Sequence, residues 1–255
     1  MGDLQPPSYI CRQVHTTPEI DGIVSGAAWD SAIWSDPFVD IEEGGPKPLR
    51  PLPFARETHV KMMWDDTHFY LAAYLHEPHV WGTLTEPNSV IFMDNDFEVF
   101  LDPDSTATNY YELEVNALGT VWQLSLDKPY YLGGKATSPH QLDGVKVAVN
   151  VDGTLNDPTS IDRGWSVSMA IPFASLTVFG AHAPPMVGDL WRVNFSRVQW
   201  PHNVVNGKYV RVPPHGTDLP QGADQLHPER NIVWAPTGVV DIHRPEMWGT
   251  VTFAD

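Results

Sequence analysis

Between Asp94 and Asn116 the chain reads DNDFEVFLDPDSTATNYYELEVN, with apolar side chains at every second residue on both sides of a central break. Phe97, Val99 and Leu101 alternate with Asp94, Asp96, Glu98 and Phe100. Tyr111, Leu113 and Val115 alternate with Tyr110, Glu112, Glu114 and Asn116. A period of two sends successive side chains to opposite faces, so each segment predicts a half-buried β-strand. The link from Asp102 to Asn109 is rich in turn formers. The result is a hairpin with one apolar and one acidic face. Pairing of its strands brings Glu98 near Glu112 or Glu114, and like charges on neighbouring strands cost stability. An arginine, a metal ion or a ligand is expected to offset that cost.

The same alternation recurs along the chain. Thr58 to Trp64 and Phe69 to His76 form a pair around the turn Asp65 to His68. Val121 to Leu126, Val145 to Val151, Trp165 to Ile171 and Trp191 to Trp200 each read as strands, and Thr250 to Phe253 as a final one. Asn206-Gly207 predicts a two-residue hairpin between Val204-Val205 and Tyr209-Val210. Residues 1 to 18 read as an N-terminal arm, and Ser25 as the cap of a short helix carrying Trp29. Residues 37 to 53, 130 to 143 and 213 to 230 read as loops. The pattern predicts an all-β fold: one antiparallel β-sandwich, jelly-roll-like, with long loops and little helix, over residues 1 to 255.

A formal net charge of −17 argues against a nucleic-acid partner and against an anionic membrane surface. Neutral sugars and cations are compatible with it. No run of 18 apolar residues occurs, so no membrane-inserted helix is expected. Cys11 is the single cysteine, which excludes an intrachain disulfide. The start, MGDLQPPSYI, has no basic region followed by an apolar one, leaving two expectations open: an intracellular protein, or a sequence that begins after a removed signal.

Four constellations carry chemistry. Asp96, Glu98, Glu112 and Glu114, with Asn116, form either a solvated sheet face or a ligand-facing one; paired carboxylates accept sugar hydroxyls and also serve acid–base work. Trp200 keeps the phase of Arg192 and Asn194, which suits stacking on a sugar, and Arg192 or Arg197 is a candidate to neutralise the acids. Asp102 and Asp104 lie in an oxygen-rich loop that calcium could use, although the loop lacks EF-hand spacing. His243 and Glu246, just before the last strand, either tie a loop to the sheet or rim a site. No zinc-hydrolase, nucleophile-elbow or phosphate-loop pattern is present.

Taken in order, IDGIVSGAAWDSA, VKMMWDDTHFYLAAYL, DNDFEVFLDPD, YYELEVNALGTVW, GWSVSMAIPF, WRVNFSRVQW and HRPEMWG cover nearly the whole chain. In these motifs the chain resembles the family 9 carbohydrate-binding modules, and more closely the broader family 9-like proteins. The resemblance implies a β-sandwich, often calcium-bearing, often beside polysaccharide-degrading enzymes, and extracellular or periplasmic. It implies a sugar-contacting acid at Glu98 and an aromatic wall at Phe92. The family's arginine position falls on Glu114, and its second tryptophan near Ile242, so Trp122 or Trp200 is expected to supply the other platform. The expected function is recognition of an oligo- or polysaccharide. The alternatives are a glycan-active enzyme using two of Glu98, Glu112 and Glu114, or a haem-binding redox sandwich using Met63 and His243.

Overall fold

The computed structural model describes residues 5–45, 53–177, 179, 182–213 and 229–255. Fifteen strands are present among them: β1 (Ser8–Gln13), β2 (Val39–Asp40), β3 (Thr58–Trp64), β4 (His68–His76), β5 (Asp96–Asp102), β6 (Tyr110–Asn116), β7 (Val121–Leu126), β8 (Ala136–Thr137), β9 (Lys146–Asp152), β10 (Gly164–Pro172), β11 (Leu190–Gln199), β12 (His202–Val205), β13 (Lys208–Arg211), β14 (Arg230–Val233) and β15 (Gly249–Ala254). The helical elements are single 3-10 turns.

One curled sheet runs β8-β7-β6-β5-β11-β15-β1-β3-β4-β10-β9. Its two halves fold onto each other around a shared core. Phe97, Val99, Leu101, Tyr111, Leu113, Val193 and Phe195 come from one half, and Val60, Met62, Leu71, Ala73, Trp165, Val167 and Met169 from the other. This is the sandwich expected from period-two alternation, since the inward set on every strand is the apolar one. The junction is β11. Along one edge, residues 192–198 pair with β5; along the other, residues 190–193 pair with β15 and residues 196–199 with β14.

The sheet is mixed and not purely antiparallel: β1 runs parallel to both β15 and β3. The residues read as an N-terminal arm supply β1, with Tyr9 and Cys11 buried and Ile10 and Arg12 outward. Parallel pairing needs no turn beside the strand, so no local signal marked it. Ser25 caps nothing. The 3-10 turn Trp29–Ser31 starts from Ala28 without a side-chain cap, and Trp29 is held by its indole N–H donating to the Glu19 carbonyl at 3.1 Å. The Asn206-Gly207 hairpin forms with φ of 53° and 73°, the double left-handed geometry such a turn requires. The central loop expectations fall partly on residues 46–52 and 214–228, which lie outside the described residues.

Candidate functional site

The opening hairpin forms, and of the two neighbours left open for Glu98 its register selects Glu114. Asp96 pairs with Asn116, Glu98 with Glu114 and Phe100 with Glu112. On the next strands, Glu114 faces Trp122, Glu112 faces Leu124 and Glu98 faces Ser196. Because Phe97, Val99 and Leu101 fill the core, the even-numbered residues of β5 turn to the outer side. That side is not a solvated face. Asp96, Glu98, Glu112 and Glu114 are at most 5% exposed.

What covers them comes from loops. A cavity of about 360 Å³, at the small end for ligand pockets, is lined by Glu98, Glu112, Glu114, Leu124 and Val198 from the strands, and by Phe92, Trp122, Tyr130, Ile242 and His243 around them. Glu229 and Asn231 complete the lining. Phe92 and Trp122 lie with ring centroids 6.4 Å apart, and Tyr130 and His243 at 4.5 Å. The Trp122 indole N–H donates to Ser138 Oγ at 2.7 Å, which fixes the ring. His243 Nδ1 lies 3.0 Å from the Tyr110 hydroxyl. Burial pushes His243 down to about 3, so it is a neutral imidazole at physiological pH.

Burial also governs the acids, raising each above the ordinary carboxylate range. Glu98 rises to about 7, with Ser196 opposing and Glu229 adding. Glu112 rises well above its ordinary value, with Glu98 adding. Glu114 does likewise, with Glu112, Glu98 and Asp96 adding and the Phe92 amide opposing through a 2.8 Å hydrogen bond to Glu114 Oε2. Asp96 rises through burial and the field of Glu98, against the Val198 amide. Neither Asp96 oxygen, nor Glu98 Oε2, nor Glu112 Oε2 has a hydrogen-bond partner of good geometry.

Of the residues predicted for the site, Phe92, Glu98, Glu112, Glu114, Trp122 and His243 come together at this cavity, with Asp96 against Glu98 and Glu114. Five are used elsewhere. Asn116 donates to the Leu84 carbonyl and to Asp94, and its oxygen accepts from Leu118 and Thr120. Asn194 is occupied by Ala235 and by its own neighbour Phe195. Arg192 donates to the carbonyls of Pro245 and Glu246. Arg197 stands one residue out of phase with the acids. It points to the core side, where it donates to Glu77 at 2.9 Å. Neither arginine therefore neutralises the acidic face. Trp200 is buried too, its indole N–H donating to the Phe92 carbonyl at 2.7 Å and its ring stacked under Arg211. It props the aromatic wall and offers no platform.

Asp102 and Asp104 stay in their turn. Asp102 Oδ2 accepts from Ala107, and Asp104 from the amide and hydroxyl of Thr106. Among the described residues the gathered acidic group is instead Asp96, Glu98 and Glu114. Met63 packs with Trp29 and Tyr70, whereas His243 packs with Tyr110 and Phe100, so the pair named for haem sits in separate clusters. Tyr130, Glu229 and Asn231 carry no signal in the sequence: Tyr130 and Glu229 lie outside the strands, and Asn231 sits in the short strand β14, too brief to show a period.

A glycosidase needs one protonated and one ionised carboxyl, about 5–5.5 Å or 6.5–9.5 Å apart. Here Asp96, Glu98 and Glu114 place oxygens within 4.8 Å of one another, and all are shifted the same way. The arrangement suits holding a ligand more than dividing acid from base.

The model of the family described as carbohydrate family 9 binding domain-like matches residues 20–178. Exoglucanase XynX of Acetivibrio thermocellus is 24% identical over 177 residues, which are 69% of this chain but only 13% of that enzyme. Among solved structures, a protein of Bacteroides uniformis described as a candidate carbohydrate-binding protein aligns with a TM-score of 0.66 at 17% identity, covering 98% of this chain and 100% of that one. A family 9 carbohydrate-binding module of Caldicellulosiruptor kristjanssonii in complex with cellotriose aligns at 0.55 and 14% identity, covering 97% and 93%. At these identities the alignments speak for the fold.

Proposed function

Because the chain belongs to the carbohydrate family 9 binding domain-like family, we propose that the cavity over Glu98, Glu112 and Glu114 is its carbohydrate site and takes a segment of an oligo- or polysaccharide. The observation that carries this reading is the composition of one small cavity: carboxyl groups on the floor, and Phe92, Trp122, Tyr130 and His243 around it. Sugar rings present hydroxyls at their edges and C–H bonds on their faces. Carboxylates accept the first, and aromatic rings pack against the second. The cellotriose complex of the Caldicellulosiruptor module makes β-linked glucans the first ligands to try. The match to part of an exoglucanase supports a role beside polysaccharide-degrading enzymes.

Calorimetry with cellotriose and a panel of plant and algal oligosaccharides tests this. Trp122→Ala is expected to weaken binding on the order of tenfold, about 1.4 kcal/mol, by removing a ring from the wall. Arg192→Ala, whose guanidinium is held by Pro245 and Glu246, is expected to bind as the parent does. Equal affinity for the parent and Trp122→Ala would place the site elsewhere. Product formation from any oligosaccharide would revive the enzymatic alternative.

A further inference from the structure

We propose that Asp96, Glu98 and Glu114 together hold one divalent cation of the calcium class, and that its remaining coordination positions take carbohydrate hydroxyls from the cavity. The second half of this statement rests on the carbohydrate reading above; the first half does not. Calcium binds oxygen at about 2.3–2.6 Å, so ligands of one ion lie no more than about 5.2 Å apart. The three residues offer one oxygen each within 4.8 Å of one another. They come from adjacent strands in fixed register, β5 and β6, so the group is held by the sheet and not by a loop.

A second observation points to the same place. Glu112 Oε2 belongs to another residue on the same face, 4% exposed, and lacks a hydrogen-bond partner. Glu112 lines the cavity. A buried polar atom left without a partner is costly, and several gathered together call for a shared positive occupant. No Lys or Arg is among the described residues lining the cavity.

An ammonium group of an amino sugar is the competing occupant. The cation is favoured because Asp96 is fully buried and is not a lining residue, so a group carried on a sugar ring would reach Glu98, Glu112 and Glu114 but leave both Asp96 oxygens unmet. A bare ion can seat against all three. With it in place, the reversal of charge at Glu114 is no loss for sugar recognition, because the ion supplies the positive charge.

The test uses the full chain, stripped with EDTA and titrated with calcium by calorimetry and with terbium by luminescence sensitised through Trp122. One ion is expected to bind the parent and to raise its melting temperature. Asp96→Asn and Glu114→Gln are each expected to weaken calcium at least tenfold, while Asp104→Asn, in the hairpin turn, leaves it unchanged. Glu114→Gln relieves repulsion and is expected to fold at least as well as the parent without calcium, so its loss of response reads the site and not the fold. No calcium or terbium binding by the parent, or undiminished binding by both variants, overturns the cation site. Cellotriose is then titrated with calcium and with EDTA. Binding that needs calcium supports the proposal; equal binding in EDTA overturns the coordinated sugar while leaving the carbohydrate reading intact. Calcium binding with no heat from any oligosaccharide or from glucosamine overturns the carbohydrate reading and leaves the cation site. Glucosamine binding in EDTA that calcium leaves unchanged assigns the pocket to the ammonium instead.

Discussion

Stripped of divalent cations, the protein is expected to melt at a higher temperature at pH 5.5 than at pH 8, by on the order of 10 °C. Burial holds Glu98 and Asp102 at about 7, whereas ordinary carboxyls of their kinds titrate at 4.5 and 3.8. In the unfolded chain both ionise near those ordinary values, so the fold favours their neutral forms. The stabilisation is complete below the unfolded values and is lost as pH rises through about 7. Between pH 5.5 and 8 each group contributes a loss of about 2 kcal/mol, and a chain of this size shifts by about 2–4 °C for each kcal/mol. Asp96, Glu112 and Glu114 are raised further in the same direction and add to the trend where they begin to ionise. The charge acting on Glu98 is that of Glu229 and the charge acting on Asp102 is that of Asp104, both acids; Arg192, opposite Asp102 on β11, turns its guanidinium to the carbonyls of Pro245 and Glu246, so the sign stands. Scanning calorimetry in EDTA at the two pH values reads the effect. Glu98→Gln removes its own share and is expected to shrink the difference by several degrees. A melting temperature that is flat or rising between pH 5.5 and 8 would show that these acids are not buried as described.

Arg197→Ala is expected to destabilise the fold by about 3–5 kcal/mol while leaving carbohydrate affinity within twofold. The guanidinium and the Glu77 carboxylate are 1% and 2% exposed and 2.9 Å apart. The remaining Arg197 donors are satisfied by Thr58 Oγ1 at 3.1 Å, the His76 carbonyl at 2.7 Å and Gln199 Oε1 at 2.9 Å. Truncating the arginine leaves Glu77 as a buried carboxylate that accepts from the amide of His79 at 2.9 Å. The cost is that of an uncompensated charge, not of the pair itself. Replacing both partners, Arg197→Met with Glu77→Leu, is expected to recover most of the loss for the same reason. Chemical denaturation read by tryptophan fluorescence measures it. A small stability change coupled with lost sugar binding would return Arg197 to the site.

The outcome for Arg197 shows how far a strand pattern reaches. Alternation on Trp191 to Gln199 gave its place on the strand, one residue from the phase of Arg192 and Asn194. It could not say that Glu77, just past the end of β4, would meet it across the core, because that meeting depends on how the two halves of the sheet fold together. The pairing of the acidic strands was legible, since hairpin pairing is local, but whether Glu98 meets Glu112 or Glu114 was decided by the structure. The burial of the acidic face was not legible, because the residues that cover it, Phe92, Tyr130, Ile242 and His243, come from three separate loops.

The chain's own order of residues was enough to set the strands, the Asp94–Asn116 hairpin, its turn and the convergence of Glu98, Glu112 and Glu114. These follow from side-chain periodicity and from nearest-neighbour pairing, which act over a few residues. Tertiary structure alone decided three further matters. The parallel seating of β1 between β15 and β3 joins segments from opposite ends of the chain. Trp200 and Asn194 were drawn into supporting roles. Four carboxyl groups were shut beneath an aromatic rim, where burial and not mere proximity sets their protonation. The physical reason is common to all three: desolvation and long-range packing depend on what comes to lie across from a residue, and periodicity records only which way it faces.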